Sequence, residues 1–303
     1  MRIAVTGSRG QVARALVERA PTLGAEVVAC GRPQLDLLEL TTIEPALRAA
    51  RPDVVVSAAA YTAVDRAESE PELAHDINGL GAGAVAAAAA ALGVPVVHLS
   101  TDYVFAGDLD RPYHENDATG PLCAYGRSKL AGERAVAAAH PDHVFLRTAW
   151  VYSPFGSNFV KTMLRLSHTR DVIEVVADQH GSPTSALDLA GGIITVCRNL
   201  LAQRGAERLR GVFHMAAAGY TTWAGFAEAI FAASVACGGP SARVEPIPTS
   251  AYPTAARRPA NSRLDCVKLE RVHGIALPDW RRSTEACVTR LFEAEAAQSE
   301  QRS

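Results

Sequence analysis

Apolar residues recur along the chain in short runs separated by longer stretches rich in alanine, leucine and glutamate. Residues 3–5, 27–29, 54–56, 96–99 and 144–146 are brief and almost uniformly apolar. Runs of that kind read as strands buried on both faces, and the segments between them as covering helices. The alternation predicts an α/β protein built on a Rossmann-type, doubly wound parallel sheet. Arg51-Pro52-Asp53 and Gly93-Val94-Pro95 are breakers that end the helices before the third and fourth strands. The apolar stretch at residues 82–92 is mostly alanine and far short of the roughly 20 residues that a bilayer span needs, so it reads as a packing helix. After Trp150 the rhythm fades, and proline- and glycine-containing segments near residues 153–157, 181–183 and 247–259 interrupt shorter helices. A smaller C-terminal region that closes over one edge of the sheet is expected there, with a polar tail at residues 293–303 that frays.

Composition narrows the function classes. The 303 residues are 48% hydrophobic and 20% charged, which provides a substantial core and excludes disordered or fibrous organisation. Thirty Lys and Arg against 32 Asp and Glu leave a net charge of -2, without the basic surplus that nucleic acid or an anionic membrane surface would require. Six scattered cysteines form no CxxC pair, so they read as reduced thiols of a cytoplasmic protein. The N-terminus enters its first apolar run at residue 3 and reaches Gly7 at once, too soon for the core of a signal peptide.

The first strand is followed by Gly7-Ser8-Arg9-Gly10-Gln11-Val12-Ala13 and then by a helix with apolar Val12, Leu16 and Val17. Gly7 suits a sharp backbone bend, Gly10 a close approach to a pyrophosphate, and the helix N-terminus supplies N–H donors. An ordinary tight turn is the plain alternative, disfavoured by the strand-turn-helix setting. Residues 1–150 are therefore expected to form a dinucleotide-binding domain that residues 185–215 rejoin. Residues 151–184 and 216–303 would form the smaller substrate-binding region.

Cofactor choice is read at the end of the second strand, where a carboxylate accepts the adenosine ribose hydroxyls and an arginine holds a 2′-phosphate. Cys30-Gly31-Arg32 has no carboxylate, so Arg32 points to NADPH, with NADH still possible. A solvated arginine before Pro33 is the alternative, and Asp36 is close enough to contact the adenosine side instead.

Tyr125 and Lys129 stand at i and i+4 of a helical segment and share one face. A phenol beside an ammonium can act as an acid at neutral pH. Thr101 and Asp102 end the fourth strand, at the sheet edge where such folds bind ligands. A lone YxxxK arises by chance in many helices; together with the strand-end hydroxyl and the glycine turn it carries more weight.

With these features in that order, the sequence resembles the extended short-chain dehydrogenase/reductase superfamily. Longer strings are similar to its dTDP-4-dehydrorhamnose reductase branch: Ala58 to Glu68 (AAAYTAVDRAE), Ser100 to Phe105 (STDYVF), Arg147 to Tyr152 (RTAWVY), Asp178 to Thr184 (DQHGSPT) and Arg258 to Ser262 (RPANS). The resemblance spans about residues 1–290 and implies reduction of the C4 ketone of a dTDP-linked 6-deoxy-4-ketohexose to dTDP-L-rhamnose. It further implies that Thr101, Tyr125 and Lys129 are catalytic, Tyr125 being the proton donor. Gly10, Gln11 and Val12 would hold the pyrophosphate, Asp36 and Leu37 the adenosine side, and Ala60, Tyr61 and Thr62 the middle of the cofactor. Thr101, Asp102 and Trp150 would face the sugar. An indole offers a flat apolar surface and one donor, although a tryptophan is as readily a core plug. Arg258 could neutralise the diphosphate or simply lie on the surface.

Some members of the branch form dimers around Mg²⁺ held by glutamates, one of them on the first helix. Arg14-Ala15 stands there, and Ala15 offers no oxygen ligand, so no metal is expected and the chain could be monomer or homodimer. A related 4,6-dehydratase would carry a second carboxylate after Asp102, where Tyr103 stands. A reductase of an antibiotic pathway, such as one making dTDP-dihydrostreptose, and a non-catalytic regulatory subunit remain as alternatives.

Overall fold

The computed structural model describes residues 1–300. The strands are β1 (Arg2–Thr6), β2 (Glu26–Cys30), β3 (Val54–Ser57), β4 (Val96–Thr101), β5 (His143–Thr148), β6 (Val151–Tyr152), β7 (Val172–Val176), β8 (His180–Gly181), β9 (Thr184–Ser185), β10 (Gly211–His214), β11 (Thr221–Thr222) and β12 (Arg243–Ile247). The helices are α1 (Gln11–Arg19), α2 (Ile43–Ala50), α3 (Pro71–His75), α4 (Ala82–Leu92), α5 (Ala124–Ala139), α6 (Phe159–Ser167), α7 (Ala186–Ala202), α8 (Trp223–Ala236), α9 (Val267–His273) and α10 (Trp280–Glu300).

Six strands form one parallel sheet in the order β10-β5-β4-β3-β1-β2. The chain leaves β1 towards β2 and then returns to place β3 on the other side of β1, so the order reverses between β1 and β3. Side chains alternate across the sheet with period two. Ile3, Val5, Val54, Val56, Val97 and Leu99 pack with α1 and α7, whereas Ala4, Val55 and Val96 pack with α2, α4 and α5. Each fully buried aliphatic side chain of this kind contributes about 1.5 to 3 kcal/mol. The alanine-rich α4 buries Ala82, Val85, Ala86 and Ala89 in the second layer, and no described helix is long and apolar enough to cross a membrane.

Of the apolar positions of α1, Val17 is 46% exposed, because Ala13, Ala15 and Leu16 form the buried stripe. One expectation is corrected. The tail from Glu293 is helical through Glu300 as the end of α10, rather than frayed, and residues 301–303 lie outside the described residues.

Beyond β5 three pairs of short strands form small sheets: β6 with β9, β7 with β12, and β8 with β11. A separate core gathers Tyr152, Val160, Met163, Phe226, Ile230 and Trp280 from this part of the chain. It is tied to the carboxyl edge of the large sheet. Gln11 at the start of α1 receives hydrogen bonds from Ser153 (2.7 Å) and Asn158 (2.9 Å), and Asp65 receives one from Arg258 (2.7 Å).

Candidate active site

The residues singled out in the sequence stand around the carboxyl ends of the sheet strands. At the reversal between β1 and β3, Gly7 has φ +87, a conformation open to glycine at little cost. A Cβ there would come 3.3 Å from that of Ala59. The hydroxyl oxygen of Thr6 accepts hydrogen bonds from the N–H groups of Ala58 and Ala59, both 3.0 Å, which fixes the β3 end against the glycine turn. Gly10 caps α1 with extended backbone, and no side chain occupies the first N–H groups of the helix. The donors at Gln11 and Val12 are therefore left without a side-chain cap, as an anion-binding terminus requires. The Gln11 side chain is used otherwise, bonded to Ser153 and Asn158.

Gly31 at the end of β2 lies against this turn, since a Cβ on it would fall 2.8 Å from the Ser8 hydroxyl. Arg32 and Arg9 directly follow the two residues in contact. Both are exposed, and neither makes a hydrogen bond or ion pair among the described residues. Arg9 was not singled out in the sequence, where it reads as an ordinary loop residue. Asp36 spends one oxygen on the N–H of Leu38 (3.1 Å), and the Leu37 side chain packs in the α2–α4 layer.

Ala60, Tyr61 and Thr62 follow β3. Asn78 clamps this loop: its amide oxygen accepts from the Tyr61 N–H (2.8 Å), and its nitrogen donates to the Tyr61 carbonyl (3.0 Å) and the Ser128 hydroxyl (2.9 Å). Asn78 sits in a π-helical turn at residues Asp76–Gly81, a device that re-aims a side chain. No motif in the sequence exposed it. The Tyr61 hydroxyl donates to Glu70 (2.6 Å).

Helix α5 begins where Glu68 accepts the Ala124 N–H (2.6 Å) and the Cys123 thiol accepts that of Gly126 (3.4 Å). This start sets Tyr125 beside the end of β4. Thr101 donates its hydroxyl proton to Asp102 (2.9 Å) and accepts the Tyr103 N–H (3.2 Å). The Thr101 hydroxyl also lies beside the Tyr125 phenol. Burial raises the proton affinity of Tyr125 well above that of a free phenol, and the Thr101 hydrogen bond opposes the shift. The ring of Tyr103 lies edge-on to that of Tyr125, with centroids 5.5 Å apart.

Asp102 is buried and its carboxyl is pushed up to about 6 by desolvation, with Ser262 and Thr101 acting in the other direction. Its second oxygen makes no hydrogen bond of normal geometry among the described residues. Lys129 is buried one turn beyond Tyr125. Its ammonium donates to the Leu99 carbonyl (2.6 Å) and to His98 Nε2 (3.2 Å). Burial lowers Lys129 to about 8, partly opposed by Glu133, and holds His98 well below its ordinary value. A neutral His98 that accepts at Nε2 must carry its proton on Nδ1, directed at the Ser57 hydroxyl 3.0 Å away. The expected influence of the ammonium on the phenol is thus not what dominates Tyr125; burial is.

One turn after Lys129, Glu133 joins Arg147 of β5 in a buried pair (2.7 Å and 2.9 Å) and accepts the Ser100 hydroxyl (2.5 Å). Its place at i+4 from Lys129 was the available signal. Trp150 follows β5 with φ 50 and stacks on Trp223. Arg258 pairs with Asp65, itself half-exposed.

The family model described as "RmlD substrate binding domain" matches residues 1–293. A dTDP-4-dehydrorhamnose reductase of Sinorhizobium fredii is 53% identical over 292 residues, which cover 96% of this chain and 98% of that protein. The crystal structure of a dTDP-4-dehydrorhamnose reductase from Clostridium acetobutylicum superposes with a TM-score of 0.87 at 36% identity, over 96% of this chain and 99% of the other. That of the Bacillus anthracis dTDP-4-dehydrorhamnose reductase, in complex with NADP, gives 0.86 at 35% identity, over 94% and 98%. With matches of this extent over nearly the whole chain, the chain belongs to the dTDP-4-dehydrorhamnose reductase family.

Proposed function

We propose that this protein reduces the C4 ketone of dTDP-4-dehydro-L-rhamnose to dTDP-L-rhamnose with NADPH as reductant. Residues 1–150 and 185–215 would hold the dinucleotide, and residues 151–184 and 216–303 the sugar nucleotide. The residues present fit the cofactor: an uncapped helix N-terminus at Gly10, Gln11 and Val12 for the pyrophosphate, and two unpaired cations, Arg9 and Arg32, for a 2′-phosphate. Asp36 and the Leu37 backbone would border the adenosine, and Ala60, Tyr61 and Thr62 the middle of the dinucleotide. When bound, the reduced nicotinamide supplies a hydride to C4.

The protein's own part is the proton. Tyr125 is kept as a neutral phenol by burial, the form that an acid needs, and gives its proton to O4 as the carbonyl becomes an alcohol. Thr101 then turns its hydroxyl from Asp102 to the new phenolate, at no cost in backbone movement. Lys129 remains mostly protonated at neutral pH, and its third N–H, beyond those on Leu99 and His98, is left for a ribose hydroxyl. Asp102 and Trp150 would face the sugar.

The observation that carries this reading is the Tyr125 phenol buried beside Thr101 at the sheet edge that also holds the glycine turn. Purified protein with NADPH and dTDP-4-dehydro-L-rhamnose should oxidise the cofactor and yield dTDP-L-rhamnose, identified by NMR. No oxidation would favour a non-catalytic subunit, and turnover only of a ring-contracted ketosugar would assign the antibiotic route.

A further inference from the structure

Among the described residues only two other than glycine have positive φ, Arg51 and Trp150. Arg51 ends α2 as a left-handed cap, an ordinary place for that conformation. Trp150 has no such reason: a bulky residue at φ 50 is an outlier that persists only where its surroundings over-determine it. Three contacts do so. The Trp150 carbonyl accepts the Thr184 N–H (3.1 Å). Its Nε1-bearing edge lies over Gly181, where an added Cβ would fall 2.5 Å from Cε2 and 2.9 Å from Nε1. Its face is stacked on Trp223, with centroids 3.7 Å apart and planes at 12°.

Trp223 is in turn anchored from the small sheets. Its Nε1 donates to Gln179 Oε1 (3.2 Å), and the Gln179 amide donates to the Thr249 hydroxyl (3.1 Å). Thr249 is bonded to Asp178 through both its hydroxyl and its N–H. Phe159 supports the ring on another side, with centroids 4.8 Å apart. The two stacked indoles are only partly covered, unlike Trp280, which is 1% exposed and does fill the core. A half-open indole pair held by a polar chain and a strained backbone is a costly way to fill space, and an effective way to fix the direction of one ring.

We propose that Trp223, oriented by Gln179, is a positioning residue that holds the Trp150 indole in its left-handed conformation for contact with the sugar. The inference rests on the reading that Trp150 faces the sugar. In this role Trp223 would act through the stack rather than on the cofactor or the reacting atoms.

Two variants separate the role from mere packing. Trp223→Leu removes the stack, whereas Gln179→Leu leaves both rings and removes the polar chain that orients them, the bond from Trp223 and the one to Thr249. Each is examined by circular dichroism, where two stacked indoles give an exciton couplet, and by the KM for dTDP-4-dehydro-L-rhamnose against the dissociation constant of NADPH. A stacked aromatic pair corresponds to a factor of up to about tenfold. Both variants should lose or alter the couplet and raise the sugar-nucleotide KM roughly tenfold with NADPH affinity unchanged, and Trp223→Phe should restore most of the KM. A lost couplet with normal KM in both variants, while Trp150→Phe raises KM, would overturn the positioning role alone. A normal KM in Trp150→Phe would overturn the sugar-facing reading and the positioning role with it. For any variant that does not fold, Gln179→Leu decides, because it removes no ring.

Discussion

Replacing Asp102 by asparagine should stabilise the protein at neutral pH and lose that advantage in acid. Asp102 is 3% exposed, has one oxygen without a regular hydrogen bond, and has its carboxyl raised from 3.8 to about 6 by desolvation. Above pH 6 the folded protein must hold a buried charge that the unfolded chain leaves in water. Below 3.8 the carboxyl is neutral in both states. A raised folded-state value means that this contribution to stability is complete below pH 3.8 and lost as pH rises through 6. At 1.36 kcal/mol per pH unit, the interval corresponds to about 3 kcal/mol. Asparagine keeps an acceptor for Thr101 and its amide can donate to the Ser262 hydroxyl, so little else changes. Urea unfolding of parent and Asp102→Asn between pH 4 and 8 measures the difference directly, with other titrating groups cancelling. The variant should lead by about 3 kcal/mol at pH 7 to 8, with the gap closing towards pH 4. A gap independent of pH, or a parent more stable than the variant at pH 8, would refute the assignment of a buried, destabilised carboxylate.

Other substitutions test separate parts of the site. Arg32→Ala should weaken NADPH roughly ten- to a hundredfold and leave NADH nearly unchanged, since a hydrogen bond to a charged group is worth about 1.5 to 3 kcal/mol; equal losses for both cofactors in titration would remove Arg32 from the 2′-phosphate. Glu133→Gln leaves Arg147 buried without its charge partner, the two side chains being 6% and 5% exposed, and should cost about 3 to 5 kcal/mol in unfolding free energy. A cost under about 1 kcal/mol would mean that the pair behaves like a surface ion pair.

The first five strands were legible because each is a short apolar run; four of them are buried on both faces, as at residues 54–56 and 144–146, whereas β2 is an edge strand of the sheet and keeps Glu26 and Ala29 exposed. The sixth, Gly211–His214, was not read as a strand: four residues beginning with glycine and ending with histidine carry too little pattern. Strands of two residues, such as β6 and β9, carry none. Thr101, Tyr125 and Lys129 were legible from spacing, since the end of a strand and one turn of a helix have fixed reach. Asn78 was not, because its use depends on a π-helical turn and on a loop 17 residues away. The Trp150–Trp223 stack joins positions more than 70 residues apart, and no local periodicity announces such a pair. The inward placement of Lys129 on His98 and Leu99 depended on the depth of α5 against the sheet, which composition does not encode.

The most direct test of Tyr125 as the proton donor is single-turnover hydride transfer in Tyr125→Phe. The substitution deletes the hydroxyl that faces Thr101 and keeps the ring that packs on Tyr103. Transfer from NADPH to dTDP-4-dehydro-L-rhamnose, followed by stopped flow at saturating concentrations, should slow by about 10²- to 10⁴-fold, with the NADPH dissociation constant unchanged. A variant that transfers hydride within a few-fold of the parent rate would contradict the assignment of Tyr125 as the acid.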